Sequence, residues 1–166
     1  MARARAIPGL GPDVGFRQAA ATAVGVRSRE LLDLRANVLE TNDIERVHDM
    51  RVASRRLRAA LEVFAPAFGK REHKLVLKEV KRLADELGRR RDPDVSIDRL
   101  ERTVDELEPA DRPGLESLIA ELRIEQEQAN VKLATELERF AGQRFDERLL
   151  ALAQSAVAPP GEDEAA

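Results

Sequence analysis

A chain of 166 residues is long enough for one domain with a true hydrophobic core and too short for two comfortable ones. Its 43% hydrophobic and 36% charged residues argue against a disordered or membrane-embedded chain, and the lack of cysteine removes disulfides, thiolate metal sites and thiol nucleophiles together. The net charge of −3 conceals a division: residues 46–92 carry fourteen basic groups against seven acidic, and residues 93–166 carry eight against eighteen.

Aromatic residues make up only 3%, so Leu, Val, Ile and Ala must pack the core, which favours helices. Residues 1–13, with two Pro, two Gly and no periodicity, read as a flexible N-terminal segment. The arginines near the start precede no apolar run, and no stretch approaches the roughly 20 apolar residues that span a bilayer. Neither a secretory signal nor a membrane helix is expected, and the simplest location is the cytoplasm.

The first helix is expected over residues 14–40, with Leu31, Leu34, Val38 and Leu39 on its apolar side. Asn42, with Glu45 three residues later, resembles a capping box and opens a second helix that runs to about residue 65, where Pro66 and Gly69 break it. A third spans residues 70–87 and stops at Gly88. Asp92 followed by Pro93 is a strong start signal, an N-cap carboxylate ahead of a proline at the first helical position, and predicts a fourth helix over residues 93–107. Asp111 and Pro113 begin a long helix to about residue 141; Gly142 interrupts it, and Phe145, Leu149, Leu150 and Leu152 mark a last short one. Residues 158–166, APPGEDEAA, read as a disordered acidic tail. No alternating strand pattern occurs, and the short connections predict an all-α antiparallel helical bundle of about five to six helices over residues 14–157.

The stretch RVHDMRVASRRLRAALEVF, residues 46–64, concentrates five arginines and a histidine. Drawn at about 100° per residue, Val47, Met50, Ser54, Leu57, Leu61 and Phe64 form the core stripe, while His48, Arg51, Arg55 and Arg58 fall together on one ridge beside it. Three aligned guanidinium groups repel one another unless acidic neighbours or a bound anion compensate, and within this helix only Glu62 and Asp49 are placed to help. The next helix repeats the device, with Lys70, Lys74, Lys78 and Lys81 in a row flanked by Arg71 and Arg82. Two such helices in an antiparallel hairpin would turn their basic ridges into a common groove, to which Arg89, Arg90 and Arg91 add charge. A single basic helix face commonly does no more than keep a protein soluble. Two successive ones point instead to an anionic ligand.

These residues carry a family resemblance. The run VHDMRVASRRLRAALEVF, followed at a loop's distance by LKEVKRLADELGRRRDPDV and later by ANVKLATELERFAGQRFDERLLAL, resembles the CHAD family, named for a histidine-containing α-helical domain, over about residues 20–155. The resemblance implies an all-helical protein that binds inorganic polyphosphate in a basic groove or pore and accompanies polyphosphate granules. Carried over, the family's basic positions fall on His48, Arg51, Arg55, Arg56 and Arg58, on Lys74, Lys78, Lys81 and Arg82, on Arg91 before Asp92, and on Arg144. Family members commonly contain two related helical halves that enclose the channel, and a second His- and Arg-rich helix is not found in this sequence. The chain thus looks like the first half. Two copies paired about a twofold axis would rebuild the channel as a homodimer, and the alternative is an open groove on one bundle.

No enzymatic motif accompanies the basic helices. The two histidines, His48 and His73, belong to no metal-ligand pair, and neither a Gly-rich phosphate loop nor a nucleophile elbow occurs, so no catalytic residue, metal or cofactor is expected. Nucleic acid is a rival ligand for the same surface, disfavoured by the shortage of aromatic stacking platforms and by the acidic C-terminal half. A helical protein-interaction domain is a further alternative.

Overall fold

A computed structural model of the chain describes residues 4–158, so residues 1–3 of the N-terminal segment and the tail from residue 159 lie outside the described residues. The regular structure is helical: α1 (Phe16–Asp33), α2 (Ile44–Val63), α3 (Lys70–Glu106), α4 (Pro113–Gly142) and α5 (Phe145–Ser155), with single 3₁₀ turns at Ala65–Ala67 and Pro109–Asp111. Among the described residues no helix is long and apolar enough to cross a membrane.

From α1 to α4 each helix runs antiparallel to the one before it, the Phe16 ring at the start of α1 meeting that of Phe64 at the end of α2. His73 near the start of α3 has its Nε2 2.8 Å from the Leu61 carbonyl near the end of α2, whereas Arg91, far along α3, donates to the carbonyl of Ile44 at the start of α2. Arg82 pairs with Glu136 late in α4, and Glu101 pairs with Arg123 earlier in it. α5 returns along α1, with Arg35 holding Asp146 at 2.9 and 2.8 Å by both guanidinium nitrogens and Arg17 donating to the Ala156 carbonyl. The core lies where these meet: Val24 and Leu31, Met50 and Leu57, Val80 and Leu83, Leu133, and the stacked rings of Phe140 and Phe145, whose centroids are 4.5 Å apart.

Two helix ends differ from the sequence expectation. α1 stops at Asp33 rather than near residue 40: Leu34 caps it, and Asn37 adopts a left-handed conformation, φ 58°, which no α-helix contains and which asparagine tolerates better than most side chains. Val38 still reaches the core, but from a turn. α2 is capped by Asp43, whose side chain accepts from the Glu45 N–H at 3.2 Å, and not by Asn42 one residue earlier.

The larger correction is that the expected third and fourth helices are one. α3 runs for 37 residues straight through Gly88, Asp92 and Pro93. Proline has no N–H to give to the carbonyl four residues back, and in a helix interior it costs about 3 kcal/mol. The compensation comes from outside the segment. Arg90 and Asp94, one turn apart on either side of Pro93, are fully buried and ion-paired. α4 joins the network: the Asn130 side-chain oxygen accepts from Arg90 Nε at 3.2 Å, and Gln126 donates to Asp94 at 2.6 Å. Asn130 also donates to the Leu39 carbonyl at 2.9 Å, which ties in the connection between α1 and α2. These groups splint α3 where its sequence reads as a break.

Past this splint the structure thins. The core cluster ends at Leu87 on α3 and resumes at Leu133 on α4. Between residues 95 and 128 only Ile97 and Ile119 are buried, while Val95, Leu118 and Ile124 are exposed. α3 and α4 there form a two-helix arm with ten acidic against four basic residues.

Two outcomes follow. Amides of residues 98–124 exchange with solvent ahead of those around Leu57 and Leu83 in hydrogen–deuterium exchange, because so little buried surface holds the arm. Arg90→Met lowers the unfolding free energy by about 3–5 kcal/mol in urea titration, since it leaves Asp94 buried and charged, and combining it with Asp94→Leu recovers most of the loss.

Candidate anion-binding groove

The ridge expected on α2 opens onto α3. Arg51, Arg55 and Arg58, spaced to share one helix face, line an open groove of about 380 Å³ whose other wall is Ala84, Asp85, Gly88, Arg89 and Asp92. Small residues one turn apart, Ala84 and Gly88, leave room for guanidinium groups to lie across α3. Arg51 Nε sits 3.9 Å from the point a Cβ on Gly88 would occupy. Arg51 and Arg55 form no ion pair among the described residues, although Asp85 and Asp92 line the same space.

Arg58 closes one end of the groove. Its Nε lies 3.1 Å from Oε1 of Glu62, and the same oxygen receives Lys81 Nζ from α3 at 3.1 Å. The hydrogen bond from Lys81, followed by that from Arg58, holds the Glu62 carboxyl below its usual pKa range, so it stays ionised at pH values where a free glutamate begins to protonate. Beyond Lys81, Lys78 and Lys74 continue on the same face of α3 toward the α2–α3 connection, both exposed and without an ion pair among the described residues. Groove and lysine row make one basic track along the hairpin.

The remaining candidates are turned elsewhere. Arg56 faces α1, with Nη1 3.1 Å from Oε1 of the buried Glu30, which Arg27 also holds at 2.7 Å. Arg82 faces α4 and pairs with Glu136 at 2.5 Å. Arg91 tethers the start of α2 through the Ile44 carbonyl at 3.0 Å. Arg144 stands at the α4–α5 turn in a left-handed conformation, φ 52°, paired with Glu147, whose hydrogen bond raises the guanidinium pKa.

His48 is half-buried one turn before Arg51 and is not part of the groove lining. Glu45, His48 and Asp49 bring one donor atom each within 4.8 Å of one another. The positive end of α2 and the Arg91 guanidinium, 3.8 Å from Glu45, oppose a cation there. Arg89 is the basic residue of the groove lining that the carried-over positions omit. Its signal in the sequence is its place one turn after Asp85, on the face that Ala84 and Gly88 keep open.

The profile of the CHAD domain family matches residues 23–166. Among curated proteins the chain is similar to uncharacterized protein Rv2226 and uncharacterized protein MT2285, from two strains of Mycobacterium tuberculosis, at 43% and 41% identity over 63 residues. Each match takes in 38% of this chain and 12% of the relative, so the chain spans only a small part of the relatives' length. No solved structure matches it. With the family profile covering most of the chain, including the arginine ridge of α2 and all of α3, the protein belongs to the CHAD domain family.

Proposed function

We propose that the α2–α3 track binds inorganic polyphosphate without transforming it, in keeping with a family associated with polyphosphate binding. The observation that carries this reading is the pair Arg51 and Arg55, unpaired among the described residues and facing an open groove beside Gly88. Arginine forks match two phosphate oxygens at a time, and the lysine row would extend the grip as point charges along a linear polyanion. Release of the ligand's condensed counterions would drive association, so affinity falls as salt rises. The groove is open along its length: one chain would hold the polyanion from one side, and a second copy about a twofold axis would cover the other.

Chemistry on the ligand is disfavoured by spacing. Asp85 and Asp92, the carboxylates of the groove, are seven residues apart on one helix, about 10 Å along its axis, too far to chelate one divalent cation between them.

A competition titration of polyphosphate against single-stranded DNA of matched charge, at two salt concentrations, tests the reading. Wild type prefers polyphosphate, and Arg51→Ala with Arg55→Ala lowers its affinity at least tenfold with little change in unfolding midpoint; equal affinity for both polyanions, or an unaffected double variant, contradicts it. Arg56→Ala behaves oppositely, losing stability through the buried Glu30 while largely keeping binding. At the groove floor, Gly88→Ala stabilises α3 by about 0.5–1 kcal/mol and leaves binding nearly intact, because its methyl group meets Arg51 only at ordinary contact distance, whereas Gly88→Leu fills the groove and weakens binding in the same titration.

A further inference from the structure

Glu62 occupies a position that the anion-binding reading leaves unexplained. It is an acidic side chain in the middle of an otherwise basic track, and its Oε1 is shared by Arg58 of its own helix and Lys81 of the facing one, each at 3.1 Å. Arg51 and Arg55 lie to one side of this contact and Lys78 and Lys74 to the other, so Glu62 bridges the hairpin at the junction of the arginine and lysine halves. One oxygen held by a guanidinium and an ammonium is also the arrangement a bound phosphate oxygen would take. All three side chains are between 41% and 46% exposed, so their ion pairs are solvent-screened and exchangeable rather than built into the core.

We propose that Glu62 is an internal competitor of the polyanion, a latch across the track that a long chain displaces from Arg58 and Lys81 and that recaptures them as the chain leaves. This rests on the polyphosphate reading and names how that site is regulated. An attached carboxylate acts at a high effective concentration, in the millimolar range for short tethers. A pyrophosphate seated at Arg51 and Arg55 ends before the latch and does not feel it. A long chain anchored there presents its next phosphates to Arg58 and Lys81 as an intramolecular rival and exchanges places with the carboxylate. When the chain frays, Glu62 closes first and blocks re-engagement, so release is fast.

The test compares wild type, Glu62→Gln and Asp85→Asn, binding long-chain polyphosphate and pyrophosphate, with affinities and dissociation rates measured by surface-immobilised chains and by calorimetry. Asp85→Asn removes the same charge from a groove-lining residue that forms no ion pair among the described residues, and so reports general electrostatics. Glu62→Gln tightens long-chain binding about three- to tenfold through slower dissociation, clearly more than Asp85→Asn, while its pyrophosphate affinity stays nearly unchanged. Lys81→Ala costs more long-chain affinity in the Glu62→Gln background than in wild type, because the latch no longer takes back part of the Lys81 contact. Equal long-chain gains in the two variants, or an equal Glu62→Gln gain for both ligands, overturn the latch and leave the binding site standing. Failure of wild type and Glu62→Gln alike to bind polyphosphate overturns the underlying reading and the latch with it.

Discussion

The buried contact between Arg90 and Asp94, clamped by Gln126 and Asn130 of α4, is the interaction on which the remaining architecture depends. It bridges the turn at Pro93, where the helix lacks a backbone hydrogen bond, and keeps α3 a single rod from the α2–α3 connection to the end of the arm. A break there would free the arm and release the segment carrying Gly88, Arg89 and Asp92, which is one wall of the groove. A buried ion pair is an expensive way to add stability, since both charges must first leave water. Its evident use here is positional: it fixes two helices and the Leu39 turn in one register.

From that register follows the sorting of the arginines. Those facing another helix are consumed by it: Arg56 by Glu30, Arg82 by Glu136, Arg91 by the Ile44 carbonyl. Those facing the cleft between α2 and α3 find space over Ala84 and Gly88, and Arg51 and Arg55 form no ion pair among the described residues although Asp85 and Asp92 line the same wall. The groove is thus defined as much by small residues on α3 as by basic residues on α2. Guanidinium groups that form no ion pair among the described residues raise the local positive potential, and an open, solvent-exposed cleft is where such repulsion is tolerable until an anion relieves it. Glu62 supplies partial relief at one end, holding Arg58 and Lys81 while leaving Arg51 and Arg55 open.

The charge division of the chain acquires a spatial meaning in the same way. α3 begins among lysines on the bundle and ends among carboxylates on the arm, and the basic track lies on the half of the helix backed by the core. A rigid backing suits a site whose contacts must be held in line, whereas the acidic arm discourages a polyanion from spreading beyond the track.

Helical class, the α2–α3 hairpin and the ridge of Arg51, Arg55 and Arg58 were legible in the sequence, because each depends on periodicity and turn residues within a few turns of chain. The α4–α5 interruption near Gly142 was legible for the same reason. The Asp92-Pro93 pair carried a genuine local preference for a helix start, and it was overruled by Gln126 and Asn130, residues more than thirty positions away. Likewise, spacing sets Arg56 and Arg82 beside the basic ridges but does not reveal that they are neutralised. Their partners Glu30 and Glu136 lie on other helices, and only packing brings them within reach. The sequence by itself therefore determined which helix faces are basic, a property of local geometry; the tertiary structure decided which of those charges are already neutralised and which remain for a ligand, because neutralisation depends on contacts between distant segments.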